Sequence, residues 1–321
     1  MLRFLLMKRL LTIVFMGVAA GAAWAGPTTP DPARLKLASA NVLVLDAAED
    51  RQIYAKAADE VTPIASVTKL MTAMIVLDAQ QSLDEEIDID MADFDFLKGT
   101  HSRLRMGTML SRREMLRLAL MSSENRAASS LARHYPGGTK AAVMAMNFKA
   151  ASLGLKHTHY EDPTGLSPEN VSTASDLARL VQAAAEYPLI REFTTTPSYM
   201  VELETGRTLG FNNSNALVKK QDWDITLQKT GYIREAGKCV VMLVNIASKP
   251  FVIVLLDSLG KYTRIADAQR VKHWLETGES LAIAPVKAAR AVKARVTRTQ
   301  ATRRAQGTLR PRLVSTSQRQ R

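Results

Sequence analysis

Apolar residues form a short continuous run near the start of the chain, recur at helical spacing through its middle and form continuous runs again towards its end. Residues 42–45 are apolar, a polar turn follows at Glu49, Asp50 and Arg51, and residues 52–55 complete a hairpin. After Pro63 the period becomes helical. Val67, Leu70, Met71, Ala73, Met74 and Leu77 nearly encircle a helix that opens at Ser66, which is the pattern of a buried helix. Ser111 and Glu114 have the spacing of a capping box ahead of a helix over 115–121. Further helical runs cover 125–134, 139–153 and 173–186, and a turn-rich loop at 162–168 separates the last two. Beyond Pro188 the period changes from helix to strand, with a hairpin across Glu204, Thr205 and Gly206 and a strand over 225–230. Two apolar strands at 239–246 and 251–256 have so short a connection that they must be antiparallel neighbours, and a helix over 262–275 closes the pattern. Strands from both ends therefore frame a helical middle. The expected class is α+β, with one antiparallel sheet of N- and C-terminal strands and a helical subdomain packed on it. No internal repeat is visible.

Composition adds boundaries. Arg3, Lys8 and Arg9 precede an apolar run over 10–20, and Ala23, Trp24 and Ala25 form a small-residue cleavage site before Gly26. Residues 1–25 thus read as a secretory signal peptide, 26–280 as the globular domain and 281–321 as a basic, disordered tail. No other stretch has the continuous apolar length of a membrane span, so the expected location is the periplasm, soluble or peripheral to the membrane. Of the formal net charge of +12, three come from the first segment and eleven from residues 287–321, which leaves the part between them at −2. That tail suits anionic wall polymers or a membrane surface as partner, and export argues against nucleic acid. Cys239 is the single cysteine and lies in an apolar strand, where a buried, inert thiol is expected.

Candidate chemistry begins with Ser66 and Lys69, one helical turn apart, a nucleophile beside a potential base. Alone this S-x-x-K means little, because roughly one is expected by chance in such a length. A second copy does occur, at Ser258 and Lys261. Ser123-Glu124-Asn125 lies between two helices, where helix capping alone would explain it, and S-x-N recurs at Ser39-Ala40-Asn41. Lys229-Thr230-Gly231 is scarcer, at roughly 0.1 expected occurrences, and falls late on a strand. Only Ser66, Ser123 and Lys229 give the order S-x-x-K, S-x-N, K-T-G.

These motifs, with residues 66–73, 120–128, 162–166 and 228–232, resemble the low-molecular-mass D-alanyl-D-alanine peptidases, a family of serine penicillin-binding proteins. Within it the likeness is greatest to endopeptidases of the penicillin-binding protein 7 type, and it covers roughly residues 35–278. The resemblance implies the DD-peptidase/β-lactamase fold, peptidoglycan peptides as substrate, and β-lactam antibiotics as covalent inhibitors. It makes Ser66 the acylated nucleophile, Lys69 the proton acceptor and Ser123 a proton relay. Asn125 would hold a substrate amide or the Lys69 side chain, and Lys229 and Thr230 a substrate carboxylate. Gly231 lets a ligand approach the strand, and the backbone amides of Ser66 and Tyr232 would form the oxyanion hole. A free lysine is neutral only about once in two thousand molecules at pH 7, so Lys69 needs burial or a second cation, for which Lys229 is the candidate.

No cofactor or metal is implied. His157 and His159 share one face of an extended segment but have no third ligand at helical spacing, and satisfied surface histidines are expected. A class A β-lactamase would carry a deacylating glutamate followed by Leu-Asn, where this chain has Asp162-Pro163-Thr164-Gly165-Leu166. A carboxypeptidase trimming stem peptides is the nearest enzymatic alternative, although the membrane-bound ones usually add a β-rich domain and an amphipathic C-terminal anchor, which are not seen here. A non-catalytic wall-binding or scaffold protein of the same fold is the alternative outside enzymes.

Overall fold

The computed structural model describes residues 30–260 and 262–283. The expected signal peptide and all of the basic segment after residue 283 lie outside them. β1 (Asn41–Asp46) and β2 (Arg51–Lys56) form the first hairpin. The short β3 (Thr62–Pro63) leads into a 3-10 turn (Ala65–Thr68) that runs straight into α1 (Lys69–Asp78). β4 (Glu86–Asp88) pairs with β5 (Met109–Ser111), and α2 (Arg112–Met121) follows, its Ser111 and Glu114 making the expected capping box. α3 (Asn125–Arg133), α4 (Gly138–Ser152), β6 (Val171–Ser172), which pairs with β3, and α5 (Ala174–Ala185) complete the helical part.

α6 (Pro188–Thr195) corrects the sequence expectation that the strand pattern begins after Pro188. Its β-branched and aromatic residues favour a strand by propensity. Proline in the first turn suits a helix start, however, and Ile190 and Phe193 three positions apart bury one face. The alternation starts at β7 (Ser198–Glu202), which pairs with β8 (Thr208–Asn212) across the expected turn. β9 (Asp224–Ile233), β10 (Gly237–Ile246) and β11 (Lys249–Ser258) then lead to α7 (Thr263–Thr277).

The five-stranded sheet has the order β2-β1-β11-β10-β9, every pair antiparallel, so strands from the two ends meet at β1 and β11. Alternation sends the side chains of β11 to two cores. Val252, Val254 and Leu256 join the core with α1 and α5, whereas Phe251, Ile253 and Leu255 join Val271 and Trp274 of α7. Each such buried side chain contributes roughly 1.5–3 kcal/mol. The sheet is thus the middle layer, with helices on both faces. Cys239 is fully buried and free, as expected. β9 has β10 on one side only, which leaves its other edge for the turn that carries Ser66.

Candidate active site

Two close backbone approaches hold the Ser66 turn. Gly165, at φ +79°, lies so near that a Cβ there would sit 2.0 Å from the Ala65 carbonyl oxygen. From the other side a Cβ on Gly231 would lie 2.8 Å from the Ile64 oxygen and 3.2 Å from the Ser66 nitrogen. Glycine is therefore needed at both positions so that the 162–168 loop and the edge strand can clamp the turn. Ala65 takes φ +48°, an unusual conformation for a residue with a side chain, and this turns Ser66 into the first turn ahead of α1. Ser66 keeps 9% of its surface accessible.

Lys69, the first residue of α1, is 1% exposed, and its Nζ donates to Ser66 Oγ at 2.8 Å, Asn125 Oδ1 at 2.7 Å and the Thr164 carbonyl at 2.6 Å. Asn125 Nδ2 in turn donates to Thr100 Oγ1 at 3.0 Å, which fixes the amide so that its oxygen faces the lysine. Burial lowers the Lys69 pKa to about 7, against the opposing pull of Asp162 and Glu124. Of the two expected causes, burial is the one that acts on Lys69. The repulsion between the two lysines is felt on Lys229, which is held well below its ordinary value by burial, then by the Lys69 charge and then by Arg264.

The partners of Lys69 also determine what happens when it loses a proton. A carbonyl oxygen and an amide oxygen can only accept, so the two remaining N–H groups stay on Asn125 and Thr164. The lone pair is left facing Ser66, whose hydroxyl can donate. A neutral Lys69 is thus aimed as a base at a single proton, that of Ser66.

Ser123 lies between α2 and α3 at φ +62°, another strained position, and its Oγ accepts a 2.8 Å hydrogen bond from Lys229 Nζ. Lys229 also donates to the Thr230 carbonyl at 2.9 Å and has no accessible surface. Its amine therefore meets the cleft only through Ser123. Thr230 Oγ1 shares a 2.7 Å hydrogen bond with Ser214 Oγ, and Tyr232, 59% exposed, forms the open lip of the strand. The structure brings all eight sequence-predicted positions around one turn and one strand edge.

Several contributors carry no motif. Asp162 accepts from the backbone N–H groups of Thr164, Gly165 and Ser167, a knot that aims the Thr164 carbonyl at Lys69. Asn170 ties that knot to the 3-10 turn ahead of α1, donating to Thr68 Oγ1 and the Asp162 carbonyl. Arg264 of α7 donates to the Gly231 and Cys239 carbonyls behind the strand. The likeness at 162–166 pointed to this loop but not to the use of its backbone atoms.

The competing motif copies meet elsewhere. Ser39 and Ser258 share a 2.6 Å hydrogen bond, and Ser39 Oγ donates to Asp267 of α7, which pairs with Arg270 at 2.7 Å. His159 stands 3.7 Å from Glu161 at an isolated bridge to Val171, and the His157 N–H donates to Asp176.

Comparisons with known proteins agree with this geometry. The D-alanyl-D-alanine carboxypeptidase family, peptidase S11, matches residues 27–259. A D-alanyl-D-alanine endopeptidase of Pseudomonas aeruginosa is 48% identical over 86% of this chain and 91% of its own length. One from Escherichia coli is 46% identical over 87% of this chain and 89% of its own. Among solved structures, the Streptomyces K15 DD-transpeptidase superposes with a TM-score of 0.70 at 26% identity, over 75% of this chain and 98% of that one.

Proposed function

The chain belongs to the D-alanyl-D-alanine carboxypeptidase family, peptidase S11, and from that premise we propose that it is a serine D-alanyl-D-alanine endopeptidase which hydrolyses peptide cross-links of peptidoglycan. The observation that carries the chemistry is the buried Lys69 amine, brought to about pKa 7 and 2.8 Å from Ser66 Oγ. Endopeptidase is favoured over carboxypeptidase by the relatives at 48% and 46% identity, both named endopeptidases, whereas the Bacillus subtilis carboxypeptidase relative is 29% identical.

Neutral Lys69 takes the Ser66 proton as Oγ attacks the carbonyl carbon of the D-alanine in the cross-link. The backbone amides of Ser66 and Tyr232 receive the oxyanion, which suits the packing of β9 against the Ser66 nitrogen. The C–N bond breaks as the leaving amine gains a proton, relayed through Ser123, which Lys229 orients. Water then attacks the Ser66 ester. Lys69 takes the water proton and returns one to Ser66 Oγ as the acid product departs. Asn125 holds Lys69 in line throughout. Lys229, covered by protein, favours a substrate carboxylate through its charge, and Thr230 lies beneath the strand edge along which the peptide backbone would add. A β-lactam would acylate the same Ser66 hydroxyl.

Among the described residues no helix is long and apolar enough to cross a membrane, and we place the mature domain, 26–280, in the periplasm after removal of residues 1–25. The basic segment 281–321 would contact anionic wall polymers or a membrane surface. Truncation after Pro285 should then weaken binding to sacculi at low salt without slowing hydrolysis of soluble muropeptides, and equal sacculus binding would remove that role. For the activity, the full chain incubated with cross-linked muropeptide dimers should yield monomers by mass analysis, and Ser66→Ala should yield none. Release of free D-alanine from intact dimers would instead identify a carboxypeptidase.

A further inference from the structure

An endopeptidase must seat a second peptide beyond the scissile bond, whereas a carboxypeptidase expels a single amino acid. A cavity of about 240 Å³ lies between the 103–109 loop and the β7–β8 hairpin. It is smaller than the roughly 300–1,000 Å³ usual for a whole small-molecule ligand, so it suits one side chain or one chain end. Its apolar lining comes from Met106, Met109, Leu203 and Leu209, and its cations are Arg103, Arg105 and Arg207, against Glu204 as the one acid among its lining residues. Among the described residues, neither the Arg105 nor the Arg207 side chain has an ion-pair partner. Arg103 is fixed in place. Its guanidinium donates to the Gly210 carbonyl and lies 4.1 Å from the centre of the Phe211 ring.

Arg103 also lines a neighbouring concavity, together with Phe211, Ser123 and Asn125, so this one side chain borders both the cavity and the catalytic residues. An apolar lining beside Arg105 and Arg207, whose guanidinium groups have no ion-pair partner among the described residues, fits an aliphatic chain that ends in a carboxylate, because arginine holds carboxylates in a bidentate fork. On the endopeptidase reading, we infer that this cavity is a subsite for a free carboxylate of the second stem peptide.

Calorimetric titration of the full chain carrying Ser66→Ala tests the inference, with cross-linked dimers whose free carboxylates are either intact or amidated. The intact dimer should bind about tenfold more tightly, and added Arg105→Gln and Arg207→Gln should reduce that preference to what Lys229 alone supplies. An unchanged melting temperature checks that the variant is folded. Equal affinity for the two dimers, or a preference that the double substitution leaves unchanged, overturns the subsite. If the chain with Ser66 intact leaves dimers uncut while an arginine-dependent preference persists, the endopeptidase reading falls and the carboxylate site stands.

Discussion

Ser66 and Ser39 are both serines tied by hydrogen bonds to charged side chains, and each begins a candidate motif, S-x-x-K at Ser66 and a second copy of S-x-N at Ser39. Ser66 sits with the helices on one face of the sheet, and Ser39 is tied to α7 on the other. Ser39 has no accessible surface, whereas Ser66 keeps 9%. The Asp267 carboxylate is filled by the Ala38 and Ser39 amides, the Ser39 hydroxyl and Arg270. Charge meets opposite charge there, each proton has one place to go, and the cluster pins α7 to the start of β1. At Ser66 the charged partner is an amine surrounded by neutral acceptors, with its proton affinity lowered by burial. Similar residues therefore give either a fastening or a reactive pair. The difference lies in whether the charge is compensated and whether the hydroxyl can still lose its proton to a neighbour.

Substitutions that break one cluster should spare the other. The largest effect is expected from Lys69→Ala, which should slow acylation of Ser66 by a fluorescent penicillin about 10²- to 10⁴-fold in stopped-flow measurements. A loss smaller than tenfold would mean that another group takes the Ser66 proton. The same variant should flatten part of the dependence of stability on pH. With a folded pKa of about 7 and an ordinary value of 10.5, the unfolded chain binds more protons at Lys69 between those limits, so stability contributed there rises with pH and levels off below 7. Asp267→Ala leaves Arg270 buried without its partner and should destabilise by about 3–5 kcal/mol in denaturant unfolding. Acylation of the fraction that remains folded should keep its wild-type rate. A slowed rate there would show that the two faces of the sheet are coupled.

The sequence carried more of this site than motif counts suggest, because order alone separated Ser66 from Ser258 and Ser123 from Ser39. It also exposed the two-ended sheet, through its continuous apolar runs at 42–45, 239–246 and 251–256, and the burial of Lys69, through a helix apolar on nearly every face. It did not reveal the Thr164 carbonyl or the Asp162 knot. Those contacts use main-chain atoms, which every residue has, so no residue type marks them. Gly165 and Gly231 were visible as glycines, but the near overlap of their backbones with 64–66 exists only after the loop and the edge strand have folded onto that turn. α6 was missed for a related reason. The local preference of its residues points to a strand, and packing of Ile190 and Phe193 decides for a helix.

Everything in the contrast between the two serines turns on Lys69 being neutral when Ser66 reacts. The most direct measurement is the rate of Ser66 acylation by a fluorescent penicillin from pH 5 to pH 9 in the full chain. The rate should rise through a midpoint of about 7 and then level, as the Lys69 lone pair becomes available. A rate that is flat across that range, or that falls as the pH rises through 7, would contradict a neutral lysine as the base.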